Sequence, residues 1–462
     1  MISGAATTTE PAPGKAFTAG TARALLALIV LLYLALGLTF AHLVPAWQAP
    51  DEPAHYNYVK YLADYAQLPI LERGDYPSAG PPGPRAVLTN IAAYRYESHQ
   101  PPLYYAIGAV VYKAGGRLFA LRALSVLFGA ALLVLVAWSA LLVFPGWFAG
   151  AVAAAAFVAF LPMHLFMTAS VDNDTLSELV LSALLLLFLA VAGGRTFRGL
   201  WIVLGVLCAA ALLTKVTIYL PAGLLALATL AAGCRASYAN SPEKAARRTP
   251  GWPRRATRAL GITAAVTLAG AGWWFVRNGL IYGWTDLAAQ TRQAEVAGSQ
   301  LHQGALGWGM LGRFLVTCFH SFWGQFGWMS VPLSGTTYRA LEALSAGLAA
   351  GLLLMACRAW RARAQNERPS PAAPHLAWQA GGLIATWLGV AAGLVYYNLT
   401  FVQEQGRYLF PALVPIALAA SLGVAGWFPR RLQPAALALA AAGSFAFALF
   451  ALRYTVLPAF AL

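Results

Sequence analysis

Apolar runs of about 20 residues recur along the chain, and that is the length a helix needs to cross the hydrocarbon of a bilayer. They fall at approximately 24–44, 120–143, 147–168, 174–192, 199–213, 216–232, 259–276, 339–357, 377–398, 408–426 and 435–456. A soluble fold could not hide that much apolar surface: 60% of the 462 residues are apolar and only 10% are charged, with a mean hydropathy of +0.63. The expectation is an all-α polytopic membrane protein with about 11 transmembrane helices. Residues 1–20, rich in Ala, Thr, Gly and Pro, read as a disordered cytoplasmic N-terminus, 21–456 as one transmembrane domain and 457–462 as an external tail. Because Ala24 to Val44 is long and lacks a clear small-residue cleavage site, it is expected to remain as the first span. The four cysteines show no paired spacing.

One shorter candidate, Pro102 to Ala114, decides the topology. Its apolar part is short for a span and it ends near Lys113 and Arg117. If it does not cross and the N-terminus is cytoplasmic, the inner loops collect four basic groups. These are Arg195 and Arg198; then Arg235, Lys244, Arg247, Arg248, Arg254, Arg255 and Arg258; then Arg358, Arg361, Arg363 and Arg368; then Arg430 and Arg431. If it does cross, the seven-residue cluster lands outside, against the positive-inside rule. The net charge of +15 therefore reports orientation, and no nucleic-acid partner is expected. The chain is placed in the plasma (inner) membrane with its active face outward. Residues 45–118 form a long first external loop carrying juxtamembrane amphipathic helices, and 278–338 form a second external block. Only Glu10, Glu243 and Glu367 of the 16 acidic residues are then clearly cytoplasmic, so chemistry is expected outside.

Five constellations fall on that side. Asp51, Glu52 and His55 follow the first span around Pro53; a helix N-cap is one role for the pair, a catalytic carboxylate the other. Val59, Leu62, Ala63 and Ala66 continue His55 along one face, as in a helix lying in the membrane interface. Glu97 to Tyr105 places His99 before a double proline, where it is either a polar site residue or part of an aromatic belt. Asp172 and Asp174 end the third run and either cap the next helix or join Asp51 in holding a divalent cation such as Mg or Mn. Lys215, Arg277 and Gln405-Gly406-Arg407-Tyr408 supply external cations, which snorkel to headgroups or grip a phosphate; guanidinium forks suit phosphate oxygens. Ser321 to Met329 interleaves aromatics with Gly, as in a groove for an isoprenoid or a sugar, or in a buried re-entrant segment.

The acidic pair after the first span, the His-x-Pro-Pro-Leu-Tyr-Tyr of His99 to Tyr105 and the acidic motif after the third span resemble the glycosyltransferase C superfamily. The nearest likeness is to protein O-mannosyltransferases and lipid A aminoarabinose transferases. The blocks 321–329 and 405–411 resemble an uncharacterised bacterial branch of that superfamily. The resemblance implies a glycosyltransferase C-type fold and a polyprenyl-phosphate sugar donor. The acceptor would be a glycan, lipid or protein hydroxyl, with membrane lipids as surroundings. It implies Asp51 as the catalytic carboxylate with Glu52 as its companion and Asp172 or Asp174 as the second acidic site; on our own reading Asp51 is the general base, and His55, His99, Asp172, Asp174 and Gln405 lie around the substrates. Lys215, Arg277, Arg407 and Tyr408 would lie on the lipid phosphate. Transfer would be inverting. The alternative is a transporter or flippase of lipid-linked saccharides without chemistry, and a third possibility is a non-catalytic scaffold.

Overall fold

In hydrocarbon a backbone polar group finds no water, so each apolar run coils into a helix that bonds those groups internally. The computed structural model describes residues 17–76, 88, 90–239, 251–301, 307–365 and 373–460. In chain order its helices begin with α1 Ala19–Leu43, α2 Glu52–Tyr65, α3 Leu103–Lys113, α4 Leu118–Val143, α5 Phe148–Ala159 and α6 Pro162–Thr168. They continue as α7 Asp174–Ala192, α8 Leu200–Leu212, α9 Tyr219–Ala239, α10 Gly251–Tyr282, α11 Gln290–Val296 and α12 Trp308–Trp323. A hairpin of β1 Gln325–Phe326 and β2 Val331–Pro332 precedes α13 Gly335–Gln365, α14 Ala373–Thr400, α15 Leu413–Gly426, α16 Gln433–Ala451 and α17 Leu457–Phe460.

Among the described residues, nine helices are long and apolar enough to cross a membrane, α5 and α6 form one bent span, and α8 is apolar but shorter. These account for the eleven predicted runs. Three differ in detail. The run 147–168 is broken, with α5 and α6 bent by 63°, because Pro162 has no amide to continue the ladder and opens α6 instead. The run from 408 starts as a 3₁₀ stretch, Gly406–Ala412, with Pro411 inside it. The last helix runs through a π turn at Leu452–Val456 into α17, where a tail was expected, and Phe460 is buried against Phe166 at 6.3 Å. Expectations for residues 1–16 (with Glu10), 240–250 (with Glu243, Lys244, Arg247 and Arg248), 366–372 (with Glu367 and Arg368) and 461–462 lie outside the described residues.

α3 has 11 residues and spans ~17 Å at ~1.5 Å per residue, about half a bilayer's hydrocarbon. The apolar face of α2 does not lie free in an interface as the spacing predicts: it packs on α3. Tyr58 stacks on Tyr105 at 3.7 Å, and a Cβ added at Gly108 would stand 3.0 Å from Val59 Cγ2.

α4 and α7 form the centre, with α1, α5, α9 and α14 around them, while α13 and α15 cross closely. That crossing requires glycine: a Cβ on Gly351 would lie 2.0 Å from the Gly423 carbonyl oxygen. α7 runs away from Asp174 and α8 returns to Lys215. Loop 193–199 and the start of α10 therefore lie at the end of the bundle opposite Asp172–Asp174.

Candidate functional site

The turn between α1 and α2 carries two non-glycine residues in the left-handed region, Trp47 (φ 70) and Asp51 (φ 65). Such backbone costs on the order of 1 kcal/mol or more per residue and persists only where surroundings fix it. Here the Trp328 indole donates to the Trp47 carbonyl at 2.9 Å, tying the aromatic hairpin to this turn. Asp51 occupies the N-cap position of α2, yet its side chain makes no cap bond. The capping role is thereby overturned, since a cap needs extended backbone. Its carboxylate instead pairs with Arg407 Nη2 and accepts from the Tyr96 hydroxyl at 2.9 Å.

Glu52 turns away from this cluster. Fully buried, it takes Arg122 bidentately at 2.7 and 2.6 Å and accepts from the Trp47 and Val171 amides. Arg122 also donates to the Ala41, Val44 and Pro45 carbonyls. Glu52 therefore anchors the loop bearing Asp51, its hydrogen bonds going to Arg122 and two backbone amides. Arg122 was not singled out from the sequence; its only signal there is a cation in the first turns of an apolar run.

The turn before α7 brings in two more carboxylates. Asp172 accepts from the Asp174 amide at 2.9 Å and lies 3.5 Å from His55 Nε2, 3.4 Å from Arg407 Nη1 and 3.9 Å from Lys215 Nζ. Lys215 pairs with Asp174, and Asn173 fixes the turn to the Thr214 carbonyl at 3.1 Å. Arg407 reaches all three aspartates because Gly406 sits hard against α12: its amide donates to Ser321 Oγ at 2.7 Å, and a Cβ there would lie 2.0 Å from the Cys318 carbonyl oxygen. Arg407 Nε is buried and has no acceptor among the described residues.

The fold thus assembles Asp51, His55, Asp172, Asp174, Lys215 and Arg407, with the Tyr408 ring 5.2 Å from the guanidinium carbon. Arg277 is not part of it, bonding the Pro69 carbonyl at 2.6 Å and lying over Trp274. His99 Nδ1 donates to the Tyr96 carbonyl at 3.0 Å, behind the residue that touches Asp51. Gln405 donates to Gln403 at 2.9 Å. A polar cavity of about 30 Å³ opens on Asp51 between Tyr96, Glu97, Gln293, Tyr397 and Gln403. Of these, Tyr96 and Glu97 adjoin a patch legible in the sequence; Gln293 and Tyr397 carry no local signal.

Burial alone would push the Asp51 carboxyl up, but the charge and hydrogen bond of Arg407, with the Tyr96 hydroxyl, outweigh it and hold it below its ordinary value. Burial pushes Glu97 the other way, upward. Two carboxyls on one cavity are thus separated, one ionised and one inclined to keep its proton. Burial lowers His55 and brings His99 down to about 4, so both are neutral near pH 7. Mg or Mn does not fit the aspartates as arranged. Arg407 and Lys215 stand between them, and among the described residues no three His, Cys, Asp or Glu converge as a cation site.

A family model described as "Predicted membrane protein (DUF2142)" matches residues 76–416, well over half of the chain. The chain belongs to this family. Asp172, Lys215 and Arg407 lie within the matched stretch of the DUF2142 chain, and Asp51 just upstream of it. No curated protein matches it. Among solved structures it is similar to ArnT from Cupriavidus metallidurans bound to undecaprenyl phosphate, at 16% identity over 96% of this chain and 74% of that chain, with a TM-score of 0.49. It is also similar to the Archaeoglobus fulgidus oligosaccharyltransferase in the apo form, at 15% identity, 97% and 56% coverage and a TM-score of 0.48. The complex of that enzyme, AglB, with an inhibitory peptide and a dolichol-phosphate gives 16%, 95%, 55% and 0.47. At such scores, fold and chemistry rest on the DUF2142 chain's own helices and side chains.

Proposed function

We propose that this chain is an integral-membrane glycosyltransferase. It moves a sugar from a polyprenyl-phosphate donor to an acceptor hydroxyl at the outer face of the plasma membrane, with inversion. The observation that carries this proposal is the set of buried Arg407, Asp172 and Lys215 paired with the half-buried Asp51 and Asp174, beside a cavity of tyrosine and glutamine side chains. A structural ion network would have no use for a carboxylate held off its helix in strained backbone, nor for a buried guanidinium N–H without an acceptor.

At rest Arg407 neutralises Asp51. A donor phosphate offers Arg407 competing oxygens, and once the guanidinium turns to them Asp51 loses its main acidifying neighbour and becomes a stronger base. It takes the acceptor O–H proton as that oxygen bonds to the anomeric carbon. The bond from this carbon to the phosphate oxygen breaks, and polyprenyl phosphate leaves with the electron pair. Arg407 and Lys215 hold its added negative charge in a partly dry site. Polyprenyl phosphate leaves without a general acid, so one base suffices. Direct displacement inverts the carbon.

A flippase without chemistry gains one observation: the buried His164–Glu178 pair, 2.9 Å apart, beside the broken span α5–α6, since buried charge and broken helices mark transporters. Among the described residues no second bent pair matches it. Purified protein incubated with polyprenyl-phosphate sugars and an acceptor extract decides between them by mass spectrometry. Release of free polyprenyl phosphate is expected; movement of intact donor across a vesicle membrane without release would overturn the enzyme.

A further inference from the structure

α8 is shorter than its neighbours, and this leaves a shelf at the end of the bundle away from the aspartates. Its outer end is fixed: the Leu213 carbonyl accepts from Leu103 at 2.8 Å, and the Thr214 carbonyl from Asn173 at 3.1 Å. From there its 13 residues reach only ~20 Å at ~1.5 Å per residue, against ~30 Å of hydrocarbon. Along its length it is lashed to α10, with Thr263 donating to the Trp201 carbonyl at 3.3 Å and Thr267 to the Gly205 carbonyl at 3.2 Å. α10 continues past that point for more than two further turns, carrying Arg258 and Arg255. The step between the two helices is a cavity of about 470 Å³.

Its floor is the N-terminus of α8, its walls carry Arg198, Arg255 and Arg258, and among the described residues no acidic one lines it. Arg198 and Arg258, both exposed, line the cavity beside the N-terminus of α8, a placement that suits an anion with several oxygens. The apolar surface says what the anion is attached to. Trp201 and Ile262 line the same cavity, and Ile202 and Val206, one turn apart on α8, are 52% and 54% exposed along the bundle exterior leading away from it. A free phosphate would use the arginines and ignore this stripe; a phospholipid uses both.

We propose that this shelf binds the phosphate of an anionic membrane phospholipid, with Arg198 and Arg258 gripping the headgroup and the acyl chains lying along Ile202 and Val206. The site is remote from Asp51 and does not depend on the glycosyl-transfer proposal. Basic pockets between spans are a known form of headgroup recognition, and each arginine near the surface contributes several-fold in affinity.

The full-length protein, purified in a neutral detergent, is titrated with phosphatidylglycerol, phosphatidylcholine or inorganic phosphate and followed by native mass spectrometry and thermal shift. Phosphatidylglycerol is expected to be retained and to raise the melting temperature, with the other two weaker by at least tenfold. R198Q/R258Q is expected to bind phosphatidylglycerol about 30-fold more weakly, whereas R430Q/R431Q, which alters exposed charge outside the shelf, binds as wild type. Equal loss in both double variants would mean unspecific surface attraction and overturn the proposal. Saturation by inorganic phosphate as readily as by phosphatidylglycerol would overturn it too. Both double variants change exposed residues, and an unaltered thermal transition without added lipid verifies that they fold.

Discussion

As the proposed base, Asp51 would act only while ionised, and its pairing with Arg407 sets the pH at which that holds. With the guanidinium in place the carboxyl lies below its ordinary value, so kcat/KM should show no acidic limb from Asp51 above about pH 4. In R407Q the opposing effect of burial is left unbalanced and the pKa rises. The residual activity should then fall as pH drops through a limb that begins at higher pH than in wild type. A pH–rate profile checks this, and a limb that stays put or moves down would contradict it. Glu52 predicts a different outcome. Removing it in E52A strands buried Arg122, which costs on the order of 3–5 kcal/mol. Thermal stability should therefore collapse, and a stable but inactive E52A would return Glu52 to the chemistry. Asp51 was legible in the sequence because acids are rare and it follows a span. The division of labour with Glu52 was not, because it depends on Arg122, 70 positions further along the chain.

At the scale of elements, the helices were legible because length and hydropathy alone fix what crosses a bilayer. What they do to one another was not. α2 looked like an interfacial helix because its apolar stripe is the same whether it meets lipid or α3. The break at Pro162 was hidden inside an uninterrupted apolar run. The approach of Gly406 to α12 shows why packing matters to chemistry, since it sets where Arg407 can reach. In G406A the added methyl must push the 3₁₀ stretch away from Cys318 and Phe322. Because a displacement of about 1 Å can cost on the order of 100-fold in rate, turnover should fall by about that factor while the helical circular-dichroism signal is kept. Wild-type turnover in G406A would mean that Arg407 need not be placed so closely.

Over the whole molecule, charge in the loops predicts one orientation: the end carrying Asp51 outside, the shelf of Arg198 and Arg258 inside. Y65C, at an exposed position at the end of α2, should react with a membrane-impermeant maleimide on intact cells. The native Cys357, exposed near the far end of α13, should react only after permeabilisation; the reverse pattern would invert the topology. That orientation is an expectation drawn from a sum over many loop charges. The pairing of Asp51 with Arg407, 356 positions apart, was legible only as two groups on one side, since nothing local sets their separation. That pairing is the centre of the account, and D51N tests it most directly. With the acceptor and donor that wild type consumes, D51N should keep the wild-type fold and still bind donor, yet release polyprenyl phosphate at least ~100-fold more slowly, as loss of a general base requires. Release at near the wild-type rate would contradict the account.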